Sequence, residues 1–433
     1  MNEVATSTQH AALAERVSDA CTAVGLVGEP QTEALAALDA IDYPTTRQER
    51  WKYTRVARLL HITPEASAPR KAPPVVIESL DALRFTFVAG QYVSGDALDE
   101  GAEGCFVGPV SLALERYPER LKAWSSSAFA TQEWFAALQA AAPQDGVCIL
   151  VPAGQKLQRP VLAHHHMPDG VQVAQPRHLI HIGDNASAEA VLWSDNTSKS
   201  EGLMNAAITA AVGDGASLSL EIIQDEPGKV HHMGHHHFTQ GSNSNLTVRT
   251  ATACAHWLRN DLHILQDGTH ADSTFHGCYL PNGDQFVDHH TRIDHAHPDG
   301  QSKELYKGLA ADKSTAVFNG KIMVHKDAQR IEAYQSNRNL LLGEQAAMYA
   351  KPELEIYADD VRCSHGCTTG QFDKEALFYL RSRGMTETAA HNLLVQAFLA
   401  EVLDGSRPVR ACAECVSTSA PAAAAAASTR HFA

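Results

Sequence analysis

The segment VRCSHGCTTG, residues 361–370, places Cys363, His365 and Cys367 within five positions. Thiolate and imidazole ligate zinc and other transition metals, and paired thiols also carry redox chemistry. The local backbone decides among these. The alternation of LEIYADDV before the segment and Thr368–Thr369 within it favour a strand. On a strand the three side chains share one face. The Cα atoms of Cys363 and Cys367 would then lie about 13 Å apart, at about 3.3 Å per residue. Two thiolates on one zinc, at about 2.3 Å each, are at most about 4.6 Å apart. Such a strand offers one or two ligands of a metal site, and the others must come from elsewhere. The competing reading is a buried strand whose small residues face a core, where free cysteine is common.

Three histidine-rich stretches could also hold metal: AHHHM around 164–166, HHMGHHHF at 231–238 and VDHHTRIDHAH at 287–297. The first two read as solvated surface runs, because no carboxylate or cysteine ligand spacing accompanies them. In the third, His289 and Thr291 could share a strand face. The pair CAEC, 412–415, is single and precedes a low-complexity tail, so it reads as incidental. No G-x-x-x-x-G-K-[ST] loop, no G-x-G-x-x-G after a strand and no C-x₂-C-x₂-C run occurs. The chain is expected to be no ATPase, to carry no dinucleotide fingerprint, and to hold no ferredoxin cluster.

The elements that must position these groups change character along the chain. Residues 1–146 read as a mostly helical N-terminal region. HAALAERVSDACTAV puts Leu13, Val17 and Ala20 on one face, a linker lies near 64–74, LRFTFVAGQYV leans to strand, and SSSAFATQEWFAALQAAA suits a helix that Ser127 could cap. From 147 to 370, alternating apolar residues and Gly/Asp turns predict strands. Within this region Gly183, Asp184, Ala186, Ser187 and Asp195 match Gly213, Asp214, Ala216, Ser217 and Asp225, an offset of 30 residues. A repeat of that period made of strands and turns suits a β-solenoid, with a β-sandwich as the other reading. Residues 371–404 turn helical. Asp373 can cap KEALFYLRSR, Gly384 suits the left-handed stop, and Ala390, Leu393, Leu394, Ala397 and Phe398 form a stripe. Residues 405–433 read as a disordered tail.

The net charge of −15 argues against a nucleic-acid surface. No apolar run of about 18 residues and no signal-peptide pattern is visible, which predicts a cytoplasmic chain with no membrane association and reduced thiols.

KPELEIYADDVRCSHGCTTGQFDKEALFYLRSRGM (351–385) and the apolar helix after it resemble the C-terminal signature of the SufB/SufD family of iron–sulfur cluster assembly proteins. ERWKYT (49–54) resembles the N-terminal signature of SufD-type members, and DGTHADSTFHGCYL with the VDHHTRIDHAH block falls between in the expected order. The resemblance covers about residues 45–404. Gly366 after His365, where SufB-type chains show glutamate, points to a SufD-type member. The resemblance implies a mainly β protein, with a right-handed parallel β-helix core between N-terminal and C-terminal helical regions. It implies a non-catalytic scaffold subunit that pairs with SufB and docks the SufC ATPase. His365 and Cys363 would then form part of a nascent-cluster site or SufB interface, with His365 as a metal ligand shared with the partner chain. Cys367 is a secondary candidate, standing where the family usually has a small residue. Phe378, Tyr379, Arg383 and Gly384 would dock SufC. The iron–sulfur cluster would be held transiently at the SufB interface, with none bound tightly by the isolated chain, for which a homodimer stays open. The rival classes are a β-helical carbohydrate-active enzyme, for which IDHAHPD is the one weak candidate site, and a metal-storage protein using the histidine runs.

Overall fold

The computed structural model describes residues 3–21, 29–62, 80–101, 103–122, 133–170, 173–196 and 198–406. The linker near 64–74, Ser127, the CAEC pair and the tail from 407 lie outside the described residues.

In chain order the helices are α1 (Glu3–Ala20), α2 (Glu29–Ala40), α3 (Val110–Arg116), α4 (Pro118–Lys122), α5 (Trp134–Ala141), α6 (Lys374–Ser382) and α7 (Glu387–Leu403). The strands begin with β1 (Leu83–Val88), β2 (Gln91–Gly95), β3 (Leu98–Asp99), β4 (Phe106–Pro109), β5 (Val147–Val151), β6 (Val161–Met167), β7 (Val173–Ala174), β8 (Arg177–Ile182), β9 (Ser187–Asn196) and β10 (Gly202–Val212). They continue with β11 (Ser217–Gln240), β12 (Asn245–Gln266), β13 (Asp272–Tyr279), β14 (Phe286–His295), β15 (Gln301–Ala310), β16 (Thr315–Val324), β17 (Ile331–Leu341), β18 (Ala347–Ile356) and β19 (Val361–Gly370).

Apart from β2, β3 and β4, which pair antiparallel at the N-terminal end, the strands run parallel. They form a solenoid with two ladders. One stacks β1, β6, β9, the first halves of β11 and β12, then β13, β15, β17 and β19. The other stacks β5, β8, β10, the second halves of β11 and β12, then β14, β16 and β18. β11 and β12 belong to both ladders, and β11 bends from one to the other at register shifts after Gln224 and Glu226. The 30-residue repeat is one coil: Ser187 to Asp195 lie in register against Ser217 to Asp225. The solenoid expectation therefore holds, and the sandwich alternative falls, because a sandwich pairs its strands antiparallel.

Strand alternation sends every second side chain inward. Leu192, Leu220, Val248, Phe275, Ile293 and Phe318 are among those filling the interior between the ladders. Each such burial contributes about 1.5–3 kcal/mol. The outward faces are covered too. Leu13 and Val17 of α1, with Trp51, Trp134 and Phe135, pack on Leu203, Met233 and Trp257 of one ladder. Val395, Leu399, Val402 and Leu403 of α7 pack on Leu162, Val191, Ile223 and Leu305 of the other. The expected stripe on α7 is thereby corrected. Ala390 is buried, but Leu393 and Ala397 are exposed, and the buried line runs through Val395 and Leu399. Docking on the solenoid sets this rotation: the Lys307 ammonium, which donates to the Phe398 carbonyl at 2.7 Å, ties the helix down there. Among the described residues no helix is long and apolar enough to cross a membrane.

Candidate functional site at the open end of the solenoid

The strand reading of the CSHGC segment holds. β19 pairs through its whole length with β17, placing Cys363 beside Ala333, His365 beside Gln335 and Cys367 beside Asn337. Burial in β17 alternates, with Ala333, Gln335, Asn337 and Asn339 all inward. Cys363, His365 and Cys367 inherit that inward direction, but among the described residues no further coil covers them. Cys363 is half-buried against the core, while His365 and Cys367 are exposed. Burial pushes both thiols above the usual cysteine range, and a backbone hydrogen bond from Ala333 partly offsets this at Cys363. Both are therefore protonated thiols near neutral pH, and a bound metal would have to displace their protons. The donor set is incomplete for one ion, since a single strand spreads these groups too widely.

Beneath this face runs an interior line of polar groups that the motifs did not reveal. Cys367 Sγ donates to Asn337 Oδ1 at 3.8 Å. Asn337 donates to the Tyr279 hydroxyl at 3.0 Å, and that hydroxyl donates to Asn339 Oδ1 at 2.7 Å. The Tyr279 ring lies 5.3 Å from His289, which sits 3.2 Å from the Thr252 hydroxyl. Thr252 donates to Gln224 at 2.9 Å, and Gln224 and Asn260 pair as two amides. His232 Nδ1 then meets the buried Glu226 carboxylate at 2.8 Å. One step to the side, Gln335 donates to Glu304 at 2.7 Å. Burial pushes the Glu304 carboxyl up to about 7, against the opposing hydrogen bonds from Thr291 and Gln335.

The histidine runs overturn the surface reading. His164, His165, His166, His231, His232, His235 and His236 are all buried. They lie on strands, so consecutive histidines point to opposite faces. His165 points inward and stacks on Phe87 at 4.5 Å, while its neighbours turn toward the carboxylate of Asp195. His165, His178, His232 and His236 line an interior cavity of about 30 Å³, room for one or two waters. Burial lowers His178 to about 3, and holds His165 and His236 well below the usual histidine value. The expectation for the third stretch holds: His289 and Thr291 are both buried on the inward face.

ERWKYT anchors the N-terminal region to the solenoid. The Arg259 guanidinium lies 3.9 Å from the Trp51 ring centroid, donates to the Arg50 carbonyl at 2.8 Å, and pairs with Asp261 and Asp288. Thr54 completes the junction by donating to Asp288. Burial would raise the Asp261 carboxyl, but Arg259 outweighs it and holds the carboxyl well below the usual carboxylate range.

At the other flank Asp373 accepts from the Glu375 amide at 2.8 Å and opens α6, as expected. Gly384 closes it with φ +93°, a conformation in which a Cβ is strained. Phe378 is 74 % exposed and Tyr379 56 % exposed, with the Arg383 guanidinium 5.2 Å from the Tyr379 ring centroid. α6 buries none of its residues.

These features define a class: a parallel β-solenoid sheathed by helices, whose final coil is open and presents thiol and imidazole groups. The chain matches the family described as the SUF system FeS cluster assembly SufBD core domain over residues 165–398, and the SufBD N-terminal region over 14–162. It is 31 % identical to the iron–sulfur cluster assembly protein SufD of Escherichia coli strain K12, over 89 % of this chain and 90 % of that protein. A SufBD family protein of Synechocystis is 31 % identical over 63 % of this chain and 62 % of its own length. The chloroplastic protein ABCI7 of Arabidopsis thaliana is 25 % identical over 84 % and 79 %. The chain belongs to the SufBD family, as a SufD-type member.

Proposed function

We propose that this protein is a non-catalytic scaffold subunit of an iron–sulfur cluster assembly complex, pairing through its last coil with a SufB homologue and docking a SufC-type ATPase on its C-terminal helices. The observation that carries the reading is the terminal coil. Among the described residues β18 and β19 each have one ladder partner, and their other edges are open. Unpaired parallel edges favour addition of another strand. The same coil presents His365 and Cys363, with Cys367 alongside. Their geometry supports half of a ligand set, which a facing subunit would complete around the nascent cluster as cargo. His365 is the ligand this chain would contribute, through a neutral imidazole nitrogen. The exposed Phe378 and Tyr379, with Arg383 beside them and Gly384 ending the helix, support the ATPase-docking role of α6.

Co-purification from the native host tests the reading, with SufB and SufC homologues expected in the complex. In that complex His365→Ala should leave association near normal and sharply reduce cluster formation. Undiminished cluster assembly would overturn the ligand role. Deleting residues 373–433 should abolish ATPase binding, and binding that survives would place the docking surface elsewhere.

A further inference from the structure

The outward face of β6 carries a second group of metal-ligating side chains, remote in sequence from the last coil. His164 and His166 are two apart on one strand and share a face. Asp195 stands in register with His166 on the neighbouring strand β9. The three meet at one point. His166 Nδ1 lies 2.5 Å and His164 Nε2 3.1 Å from the same oxygen, Asp195 Oδ1. Two ligands on one ion at about 2.1 Å each stand roughly 3 Å apart at right angles, so these spacings fit a shared ion with small adjustment. Both histidine side chains are at most 4 % exposed, whereas Asp195 is 23 % exposed and opens the cluster to solvent. Neither ring nitrogen of His164 makes a hydrogen bond of good geometry, although Nε2 lies close to the carboxylate. A buried imidazole in that condition is costly unless something else engages it. Among the described residues this is the one group of three with ligand atoms mutually within 4.8 Å.

The coil stacking extends the column. Asp225 follows Asp195 in register on β11, and Cys254 follows Asp225 on β12, its thiol donating to Asp225 Oδ1 at 3.0 Å. Further donors thus flank the open side.

We propose that His164, His166 and Asp195 bind one divalent first-row transition cation, with the remaining coordination positions open toward Asp225. Two imidazoles and a carboxylate suit iron(II), cobalt(II), nickel(II) and zinc(II), and disfavour magnesium and calcium, which want oxygen alone. This site departs from the expectation that the isolated chain holds no metal tightly. It does not depend on the last coil or on any partner.

The test is anaerobic titration of the full chain with cobalt(II), read by visible d–d absorption, with zinc(II) and iron(II) in competition. The wild type should bind one equivalent, and zinc(II) should displace it. Asp195→Asn and His166→Gln should each weaken that equivalent by at least ten-fold, and His365→Ala should retain it. Asp195 is partly exposed, so Asp195→Asn keeps the fold, which circular dichroism verifies. The metal-dependent rise in Tm seen for the wild type should vanish in this variant. A wild type that binds no cobalt(II), variants that bind as tightly as the wild type, or an equivalent lost with His365→Ala instead would each overturn the assignment.

Discussion

Middle and final coils of the solenoid occupy equivalent positions on one lattice, yet their polar groups live in different worlds. Gln335, Asn337 and Asn339 on β17 are 3 % exposed or less and belong to a hydrogen-bonded interior. His365, Cys367 and Thr369, one coil further on and facing the same way, are exposed. The loss of a single neighbouring coil turns a buried, obligatorily paired position into an exposed one. A ligand position at this end would therefore need no carved cleft, because ending the stack suffices to expose it.

Four measurements can break or sharpen that contrast. The largest effect should come from acid. Burial holds His178 near 3 and His289 near 4, so these side chains stay neutral when folded but take protons when unfolded below about pH 6.5. Stability is then fully present above pH 6.5 and falls as pH drops toward 4, by up to about 1.4 kcal/mol per pH unit for each such histidine. Urea unfolding at pH 7 and pH 5 should show a loss of several kcal/mol, and a flat profile would mean the buried histidines are already charged.

Next in size is Arg259→Ala, which leaves Asp261 and Asp288 buried without their cation and removes the guanidinium from Trp51. A cost of about 3–5 kcal/mol is expected from the same unfolding curves. A smaller effect, of opposite pH sense, belongs to Glu304. Its folded value near 7 exceeds the unfolded one, so its favourable contribution is present below about pH 4.5 and lost as pH rises through 7. Glu304→Gln should therefore gain on the wild type by about 1–3 kcal/mol between pH 5 and pH 8; a constant difference would show that Glu304 does not titrate there. The smallest effect is reserved for the last coil. His365→Ala in the isolated chain should change stability by no more than about 0.5 kcal/mol, as at exposed sites. A loss of about 1 kcal/mol or more would indicate a structural hydrogen bond in place of a ligand role.

The two ends of the solenoid differed in how far they could be read from sequence. CSHGC was legible because strand geometry alone showed that its ligands spread too far for one ion. Asp373 and Gly384 were legible because capping is local. The first histidine run was misread because its partner lies a coil away: Asp195 comes 29 residues after His166. In the second, Glu226 lies on the same strand as His232, and the bend in β11, not a strand or helix period, brings them together. Arg259 was missed because, although Asp261 lies two residues away on its own strand, its second carboxylate, Asp288, sits a coil further on and its ring partner, Trp51, lies in the N-terminal region. The stripe on α7 was only partly right, with Ala390 and Phe398 against the solenoid but Leu393 and Ala397 exposed, because an apolar helix offers more than one face, and contact with Lys307 and its neighbours chooses.

The corners of the coils hold residues in the left-handed region at Asn185, Gly215, Asn243, His270, Asp299 and Arg330, unevenly spaced along the chain. From Val191 through Glu221, Arg249, His276, Leu305 and Ser336, the sixth residue past each corner nonetheless falls in one column. Each corner thus resets the count. Length differences between coils are absorbed in the connections between strands, and the strands stay aligned whatever their neighbours' length. Address within this protein is therefore a pair of coordinates, the coil and the distance from its corner, and two residues with the same second coordinate on adjacent coils are neighbours although a whole coil of chain separates them.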